Sequence, residues 1–414
     1  MKKIVVIGGG IIGLSSAYYL VKAGFEVTLI DKGDLTRGAS IVNAGFTAPS
    51  HIISLASPGV INKGLKWMWN SSSPFYIKPQ LDLQFLDWAL KFKRSSTKEK
   101  VEAAIPILKE LNLTSRDLYE EILGTVDFTV HYEKKGLLTV FRTASAEKEE
   151  IQKAERIIKE GLDLEILSRD EVLKLQPVLR EDMRGAVYYT CDSHSTPGDF
   201  ISKLSRWLED HGVTFCLNEE VRSIEVKGDK ISGVKTDRDL YIADKFVLAA
   251  GSWTRPLAGS LGIKIPLQGG KGYSMDVYRE TGITIPTILA EVKVAVTPMK
   301  GFTRFAGTME FSGNNDIVRK ERVGAIANAA GAYFNNITIN KEEKDNARSG
   351  LRPVSPDGLP FIGKTSRYEN LIIATGHAMI GWSLGAVTGK LVSQIATGEK
   401  PLVDLTPFSP ARNF

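Results

Sequence analysis

The sequence predicts an α/β chain of two domains, one built on a parallel sheet and the other on a mostly antiparallel sheet. Three observations support this prediction. A strand, a helix and a second strand follow one another over residues 2–30, with glycines between them. Charged segments with helical periodicity occupy 78–146, and short strands separated by Gly and Pro lie between 265 and 311. At 414 residues, the chain is also too long for one small core.

The composition is that of a globular protein, with 43% hydrophobic and 24% charged residues. The formal net charge is +5, but the basic residues are scattered, whereas nucleic-acid-binding proteins usually cluster them, so we expect no nucleic acid partner. The sequence has no run of 18 apolar residues, and its apolar start continues into a glycine motif. We therefore expect neither a membrane span nor a cleaved signal, and we expect a mature cytoplasmic protein. Cys191 and Cys216 lack disulfide or metal spacing and are predicted to be small, partly buried thiols.

The first domain begins with a β-α-β unit. The β-branched run 2–7 predicts a buried strand that ends at three glycines. Apolar residues at spacings of three and four over 13–22 predict a helix that packs one face on a sheet, and Gly24 ends it. The apolar run 25–30 predicts the second strand, parallel to the first and reached by a right-handed crossover.

The remaining elements alternate between the two domains. Further helices are predicted over 147–161, 200–210, 323–334, 341–348 and 381–396. Further strands are predicted over 213–217, 221–226, 231–236, 245–250 and 371–374. We assign 1–77, 147–258 and 345–414 to the first domain and 78–146 and 259–344 to the second.

A glycine motif in the first turn indicates a bound dinucleotide. Gly8, Gly10 and Gly13 spell GxGxxG between a predicted strand and helix. These glycines permit a tight turn, close approach of a pyrophosphate and close helix packing, and the phosphates lie at the positive end of the helix. Asp31 ends the next strand, where its carboxylate can accept hydrogen bonds from ribose hydroxyls and would repel a 2′-phosphate. The motif predicts a Rossmann-like domain and disfavours NADP.

Two further segments favour FAD over NAD. The stretch GASIVNAG over 38–45 supplies small residues soon after the dinucleotide motif, and GHAMIG over 376–381 supplies a loop before a helix near the C-terminal end. Together they imply a long ligand that both ends of the chain hold. A helix N terminus directed at a flavin would stabilise the negative charge that appears on reduction.

These motifs resemble those of the FAD-dependent D-amino-acid oxidase superfamily, and within it those of the bacterial D-amino-acid dehydrogenase (DadA-like) group. The resemblance covers nearly the whole chain. The segments that carry it, in the family's order, are IVVIGGGIIGLSSAYYL, GASIVNAGFTAPS, SPFYIKPQLD, GLLTVFR, KFVLAAGSW, KGYS, TPMKGFTRFAGTMEFSG, GLRPVSPDGLPFIG and ATGHAMIGWSLG. It implies a FAD-binding domain of the glutathione-reductase type and an interrupted α+β substrate domain. Arg348 departs from the family, since relatives often have tryptophan there.

The resemblance implies that FAD contacts residues from several segments. Val221 would contact the adenine through its backbone, Asp31 and Lys32 the ribose, and Gly251 the dinucleotide region. Residues 40–45 would contact the pyrophosphate and the flavin edge. The predicted FAD-binding residues are Gly8, Gly10, Ile11, Ile12, Gly13, Asp31, Lys32, Ala39, Ser40, Asn43, Ala44, Gly45, Val221, Gly251, Trp253, Gly376, Gly381, Trp382, Ser383 and Leu384.

Three residues are predicted to act on the substrate side. Arg352 in GLRP is the predicted carboxylate anchor, because a planar guanidinium offers paired donors and relatives with oxidase activity use this arginine so; the alternative is an ion pair with Asp357. Tyr273 either adds a hydroxyl to the same carboxylate or packs half-buried. Arg304 lies where sarcosine-oxidase-like members have a lysine that promotes attack of oxygen, so arginine there disfavours oxidase activity.

The histidines divide into two groups. His51 and His377 lie in segments predicted to be near the flavin, more as orienting hydrogen-bond partners than as acid/base groups. His131, His194 and His211 show no metal-type clustering with cysteines or carboxylates in the sequence, so we expect no metal.

The leading prediction is a dehydrogenase of D-amino acids, or of cyclic D-imino acids such as D-proline or hydroxyproline. Hydride would leave Cα for flavin N5, and water would convert the imine to a 2-oxo acid and ammonia. Electrons would pass to a quinone or other respiratory acceptor, with peripheral contact at the inner face of the cell membrane. The aromatic and basic segment 63–76 forms either an interfacial patch or a buried cluster.

Two alternatives stay open. One is an oxidase of glycine, sarcosine or proline that produces hydrogen peroxide. The other is a flavin-binding protein whose cofactor is structural and whose surface binds RNA or a membrane. The sequence leaves the side-chain and stereochemical preference, the physiological acceptor and the oligomeric state undetermined.

Overall fold

The computed structural model describes residues 1–57, 73–78 and 82–414. The helices in these ranges are α1 (Ile11–Lys22), α2 (Leu83–Ser95), α3 (Lys98–Thr125), α4 (Ala144–Lys159), α5 (Arg169–Leu175), α6 (Pro197–Asp210), α7 (Thr254–Ser260), α8 (Lys320–Tyr333), α9 (Lys341–Asp345) and α10 (Gly385–Thr397). None of them combines the length and apolar character that a bilayer-spanning helix requires. Short 3-10 turns cover Gly251–Trp253 and Thr406–Phe408.

The strands in the described ranges form four sheets. They are β1 (Lys3–Ile7), β2 (Glu26–Asp31), β3 (Phe46–Thr47), β4 (Phe75–Ile77), β5 (Tyr132–Glu133), β6 (Leu137–Phe141), β7 (Glu165–Ser168), β8 (Gly185–Tyr189), β9 (Ser193–Ser195), β10 (Thr214–Leu217), β11 (Val221–Lys227), β12 (Lys230–Thr236), β13 (Leu240–Tyr241), β14 (Lys245–Leu248), β15 (Gln268–Val277), β16 (Thr287–Leu289), β17 (Val294–Met299), β18 (Phe302–Phe311), β19 (Arg348–Val354), β20 (Phe361–Lys364) and β21 (Leu371–Thr375).

A six-stranded sheet forms the centre of the first domain. Its strands follow the order β10-β2-β1-β14-β21-β20, and all pairs are parallel except the last. Helices α1 and α10 pack on each other so closely that a Cβ on Gly389 would lie 2.4 Å from the Ser15 carbonyl group. This arrangement confirms the predicted Rossmann-like β-α-β unit.

A nine-stranded sheet forms the second layer of the fold. Eight strands follow the order β19-β15-β18-β17-β16-β6-β8-β7, and β4 pairs with β18. The pairs are antiparallel except β16 with β6 and β18 with β4. Helix α8 packs on this sheet through Val323, Ile326 and Ala330, which share a core with Phe305. The predicted, mostly antiparallel substrate sheet is therefore confirmed.

Two small sheets complete the architecture. One is the meander β11-β12-β13, and the other has the order β3-β9-β5. The two cysteines, at positions 191 and 216, are free, the first partly exposed and the second buried.

Some predicted boundaries differ from the structure. The helix predicted over 341–348 ends at Asp345, because Arg348–Val354 pairs with β15 as a strand. The helix predicted from 381 begins at Gly385, after a turn. The domain boundaries remain predictions, and β7 and β8, which we assign to the first domain, pair in the nine-stranded sheet.

The predicted aromatic patch lies largely outside the described residues. This holds for Lys63, Lys66, Trp67 and Trp69. Phe75 packs on Phe311, with ring centroids 5.7 Å apart. Tyr76 lies under the Arg322 guanidinium, 4.6 Å from ring centroid to guanidinium carbon. The described end of this segment is therefore packed against the protein.

Candidate cofactor and substrate site

The carboxyl edge of the six-stranded sheet gathers residues from distant parts of the chain. Gly8 follows β1, Asp31 ends β2, Gly251 follows β14, and Gly376 follows β21. Because parallel strands end at the same edge, these four predicted cofactor residues lie along one crevice. This edge is where a doubly wound sheet binds its ligand.

The glycine-rich turn has the geometry that its motif requires. Gly8 has φ of +109°, and a Cβ there would lie 2.5 Å from the Ala249 oxygen. A Cβ on Gly13 would lie 1.8 Å from the Gly8 oxygen, so helix and turn pack without room for a side chain. Gly10 has no side chain with which to cap α1, although Ser40 Oγ accepts the Ile11 N–H. Beyond Ile11, the positive end of the helix can still accommodate a phosphate.

Asp31 is oriented by the backbone around it. Its carboxylate accepts hydrogen bonds from the Gly9 N–H at 2.6 Å and the Gly33 N–H at 2.7 Å. Next to it, the Lys32 ammonium lies over the Trp253 ring, 3.5 Å from the centroid. The Glu219 N–H donates a hydrogen bond to the Asp31 carbonyl. Val221, two residues after Glu219, begins β11. The predicted ribose and adenine contacts therefore lie side by side.

The loop 38–45 connects the crevice with the substrate sheet. Ser40 Oγ accepts the Ile11 N–H at 3.0 Å, at the start of α1. Thr297 Oγ1 donates to the Ala44 carbonyl at 2.8 Å from the other side. A Cβ on Gly350 would lie 2.7 Å from the Ala39 Cα. Contacts from α1 and from the nine-stranded sheet fix the path of this loop.

Arg304 is committed to holding that loop. Its Nη1 donates to the Ile41 and Asn43 carbonyls at 2.6 and 2.8 Å. Its Nε and Nη2 donate to the two oxygens of Asp276 at 2.7 and 3.0 Å. Arg348 also pairs with Asp276. Because four hydrogen bonds occupy the buried Arg304 guanidinium, the geometry supports a positioning role in place of the predicted catalytic one.

The C-terminal loop is anchored to three neighbouring elements. The buried Trp382 donates through Nε1 to Ser195 Oγ at 3.0 Å, and its carbonyl accepts the Tyr119 hydroxyl at 2.6 Å. Ser383 Oγ donates to the Phe46 carbonyl at 2.8 Å. Gly381 and Leu384 lie in the same turn, before α10 begins. The turn, rather than the helix, brings these predicted flavin contacts to the crevice.

His51 and His377 are both neutral groups in the fold. His377 is buried, with Nε2 2.9 Å from Thr388 Oγ1, and burial lowers its pKa to about 3. His51 Nδ1 lies 3.3 Å from Ser50 Oγ, and burial lowers its pKa to about 4. These surroundings support the predicted orienting role over acid/base work.

Arg352 is a cation without a carboxylate partner among the described residues. Its one hydrogen bond there runs from Nη1 to the Thr308 carbonyl at 2.9 Å. Burial lowers its pKa to about 10, which still leaves it charged at neutral pH. The alternative ion pair with Asp357 does not form, because that carboxylate pairs with Arg412 at 2.8 Å. The guanidinium is therefore available to an anion.

The backbone around Arg352 makes room for its side chain. A Cβ on Gly272 would lie 2.1 Å from Arg352 Nη1, so the guanidinium lies directly over that glycine. The register of β15 and β18 shifts between Lys271 and Tyr273, and Thr308 opposite has φ of +69°. Such bulges redirect groups beside functional sites. Here the bulge lies at Thr308, whose carbonyl accepts the hydrogen bond from Arg352.

Tyr273 is engaged by a group that sequence reasoning missed. Its buried hydroxyl donates to Glu310 Oε2 at 2.8 Å. Glu310 is fully buried and also accepts hydrogen bonds from Ser312 and Arg319. Although burial acts in the opposite direction, these bonds and the ammonium of Lys271 hold the pKa of Glu310 below its ordinary value. The hydroxyl is therefore not free for the predicted contact with a substrate carboxylate.

The family follows from a match along the chain. A family model described as DAO, FAD dependent oxidoreductase, matches residues 3–395. The chain belongs to the DAO family of FAD-dependent oxidoreductases. The predicted family, enzyme class and FAD cofactor are thereby confirmed.

Relatives of this DAO-family chain carry consistent names. The D-amino acid dehydrogenase of Vibrio vulnificus (strain CMCP6) is 32% identical over 406 residues, 96% of each chain. That of Helicobacter pylori is 30% identical over 399 residues, 95% of each chain. Glycine oxidase from Geobacillus kaustophilus superposes over both whole chains, with a TM-score of 0.77 and 21% identity. L-proline dehydrogenase from P. horikoshii has a TM-score of 0.71, with 18% identity, 99% of this chain and 96% of that one covered. These two structures show the fold.

The crevice of this DAO-family protein fits FAD. The tight glycine-rich turn between β1 and α1 and the positive end of α1 suit a pyrophosphate. In the described part of the chain, His377 Nδ1 is buried without a hydrogen-bond partner. We infer that the FAD-binding residues predicted above hold the cofactor.

Sequence reasoning also missed a cluster in the sheet β3-β9-β5. His131, Glu133 and His194 each offer a ligand atom, and these atoms lie within 4.8 Å of one another. The sequence shows no metal-type clustering for these two histidines, but the fold places both beside a carboxylate. Antiparallel pairing of β5 with β9 brings together residues about sixty positions apart, which spacing along the sequence does not reveal.

The buried imidazole of His377 makes the fold acid-sensitive. Because burial lowers its pKa to about 3 from the ordinary 6.5, the unfolded chain binds a proton between these pH values that the folded chain does not. The stability that neutral His377 provides is complete above pH 6.5 and is lost as the pH falls toward 3. Between pH 7 and pH 5, we expect the free energy of unfolding to fall by about 2 kcal/mol more in the wild type than in His377→Gln. Urea denaturation of the FAD-loaded proteins measures this difference, and equal pH dependence would contradict the prediction.

Proposed function

We propose that this protein is a dehydrogenase that oxidises the Cα–N bond of D-amino acids, or of cyclic D-imino acids such as D-proline or hydroxyproline. The observation that carries this proposal is Arg352, a desolvated guanidinium with a single backbone partner among the described residues. A planar fork of N–H donors fits a carboxylate. The relatives named D-amino acid dehydrogenase match along nearly the whole chain and support an amino acid as the carboxylate.

Arg352 has the donors that this role requires. Nη1 is held by the Thr308 carbonyl, while Nε and Nη2 donate no hydrogen bond within the described ranges. A substrate carboxylate bound there would fix the position of its Cα and amine. Positioning of this kind supplies a large share of the rate in reactions between bound partners.

The surrounding groups orient the substrate without acting on its protons. His51 and His377 are neutral, and burial keeps their pKa values at about 4 and 3. Tyr273 is held by Glu310. Bound FAD would supply the acceptor for the hydride that leaves Cα. The amine therefore loses its proton to water, and water also hydrolyses the imine. A primary amine gives a 2-oxo acid and ammonia, whereas a cyclic imino acid opens to a 2-oxo acid that keeps its nitrogen as an amine.

The electron acceptor of this reaction is proposed to be a quinone or another component of a respiratory chain. The names of the relatives as dehydrogenases support this choice. Arg304, at the position where sarcosine-oxidase-like members have a lysine, is fully engaged by Asp276 and the loop carbonyls. An acceptor in a membrane also implies a cytoplasmic protein that contacts the inner face of the membrane.

The proposal is tested by anaerobic reduction of the bound flavin. D-amino acids, their L-enantiomers, glycine and hydroxyprolines are added separately, and the flavin absorbance is followed. We expect D-amino or D-imino acids to bleach the flavin and L-enantiomers to leave it oxidised. Under air, turnover with a quinone analogue should exceed peroxide formation by far. Bleaching by no member of the panel would refute the amino-acid assignment, whereas one peroxide per substrate at full rate would make the protein an oxidase.

A further inference from the structure

The small sheet β3-β9-β5 contains a cluster that the oxidation of an amine does not use. His194 lies on the central strand β9, directly opposite Glu133 on β5 and Phe46 on β3. His131 immediately precedes β5. Residues opposite one another in antiparallel strands have neighbouring side chains on the same face, so the sheet itself places the three polar groups together.

The distances within this cluster are close to those of a zinc site. Glu133 Oε2 lies 3.5 Å from His194 Nε2 and 3.7 Å from His131 Nε2. With zinc–ligand bonds of roughly 2.0–2.2 Å, tetrahedral geometry separates the ligand atoms by about 3.3–3.6 Å. The first distance lies in this range and the second just above it, while all three ligand atoms lie within 4.8 Å of one another, so a small inward movement of the imidazoles would allow a common ion.

His194 supplies an independent reason to expect a ligand. Its side chain is completely buried, and neither ring nitrogen has a hydrogen-bond partner in the part of the chain that the structure describes. Buried polar atoms are rarely left unpaired, because each loses its hydration without compensation. The Pro298 backbone also lies near this ring. A metal at Nε2 would satisfy that nitrogen.

The second histidine is oriented toward the same point. Thr196 Oγ1 lies 2.9 Å from His131 Nδ1 and also accepts the Lys300 N–H. A hydrogen bond at Nδ1 leaves Nε2 as the free coordinating nitrogen, the arrangement usual for metal-binding histidines. The His131 and His194 rings meet edge to face, with centroids 5.5 Å apart.

Charged side chains around the cluster weaken the binding of a cation there. Lys135 Nζ lies 3.0 Å from Glu133 Oε2 and competes with a cation for that oxygen. Lys300 and Asp199 lie beyond His131 and pair with each other. The side chains of Glu133 and His131 are 34% and 20% exposed, so water and ions can reach the cluster.

We propose that His131, Glu133 and His194 bind a divalent transition-metal ion, with Zn²⁺ as the best fit and water as a fourth ligand. Imidazole and carboxylate ligands suit zinc, whereas Mg²⁺ and Ca²⁺ prefer sites made of oxygen atoms. The bound ion connects the residue just before β5 with strand β9. Strand β9 in turn pairs with β3, which follows the cofactor loop.

The experiment measures Zn²⁺ binding to FAD-loaded enzyme after treatment with a chelator. Titration calorimetry should give one Zn²⁺ per chain, and Mg²⁺ should give no heat of binding. His131→Gln and Glu133→Gln should abolish stoichiometric binding. His211→Gln is the matched control, because His211 stacks on Trp207 away from the cluster, and it should bind as the wild type does. Lys135→Met should bind Zn²⁺ several-fold more tightly, since it removes the competing ammonium.

Other outcomes would overturn the metal site. Absence of stoichiometric Zn²⁺ binding to the wild type would do so, as would equal binding by His131→Gln and His211→Gln. His131 is partly exposed, so its variant is expected to fold even where His194→Gln does not. Co²⁺ added to the wild type provides a second readout: intense visible bands of a four-coordinate ion support the site, and the spectrum of aqueous Co²⁺ contradicts it.

Discussion

Replacing Arg352 with leucine is expected to lower kcat/KM for the amino-acid substrate by about 30- to 4,000-fold, while FAD remains bound. This range corresponds to the roughly 2–5 kcal/mol that loss of one partner of a buried, hydrogen-bonded charge pair costs. Without Arg352, the substrate carboxylate would occupy a desolvated position with no cation beside it. No other arginine or lysine among the described residues lies over Gly272 in its place. Steady-state kinetics with the best substrate of the bleaching panel, together with the flavin spectrum, measures the effect.

The same substitution should stabilise the substrate-free enzyme. The Arg352 guanidinium is desolvated, which lowers its pKa, and it lacks a carboxylate partner among the described residues. Removal of a partly buried charge that has no carboxylate partner favours the folded state. Arg412→Leu is the matched control, because it deprives Asp357 of its partner and should lower stability without changing kcat/KM.

Two further variants separate charge from geometry. Arg352→Lys keeps a positive charge but lacks the planar fork, and most of the loss in kcat/KM should persist. Gly272→Ala keeps the arginine but places a methyl group 2.1 Å from its Nη1, so it should reproduce part of the loss. An unchanged KM and kcat/KM in Arg352→Leu would exclude this residue as the carboxylate anchor.

The sequence predicted the parts of the fold that local patterns determine. The GxGxxG motif between a strand and a helix, followed by Asp31, predicts a β-α-β unit, and the structure contains that unit. The role of Arg352 stays a prediction, and it has a similar basis, since it depends on the chemistry of one side chain and on a short motif. Both predictions needed only residues close together in sequence.

The sequence could not show which polar groups face one another across a sheet. Arg304 lies opposite Asp276 because β15 and β18 pair in one register, and a change of register would have given it other partners. In the same way, the Tyr273 hydroxyl is not free because it donates a hydrogen bond to Glu310. A charged residue in the apolar strand TMEFSG was the available signal, because a buried carboxylate requires partners.

Gly13→Ala should release FAD and destabilise the fold. Alanine favours a helix over glycine by about 1 kcal/mol, so an open helical position would gain stability. At residue 13, however, the new Cβ would lie 1.8 Å from the Gly8 oxygen. That oxygen belongs to the backbone of the turn and cannot rotate away, so α1 must move off β1.

The displacement acts on the cofactor because the start of α1 is the predicted phosphate site. We expect overpacking to cost about 1–3 kcal/mol of stability and FAD affinity to fall by more than about tenfold. The flavin absorbance of purified and reconstituted protein and a fluorescence titration of FAD measure these effects. Gly124→Ala is the control, since Gly124 lies in α3 with no atom within 4 Å of its added Cβ, and it should bind FAD normally. If Gly13→Ala bound FAD as tightly as Gly124→Ala, the glycine-rich turn would not be the place where the pyrophosphate lies.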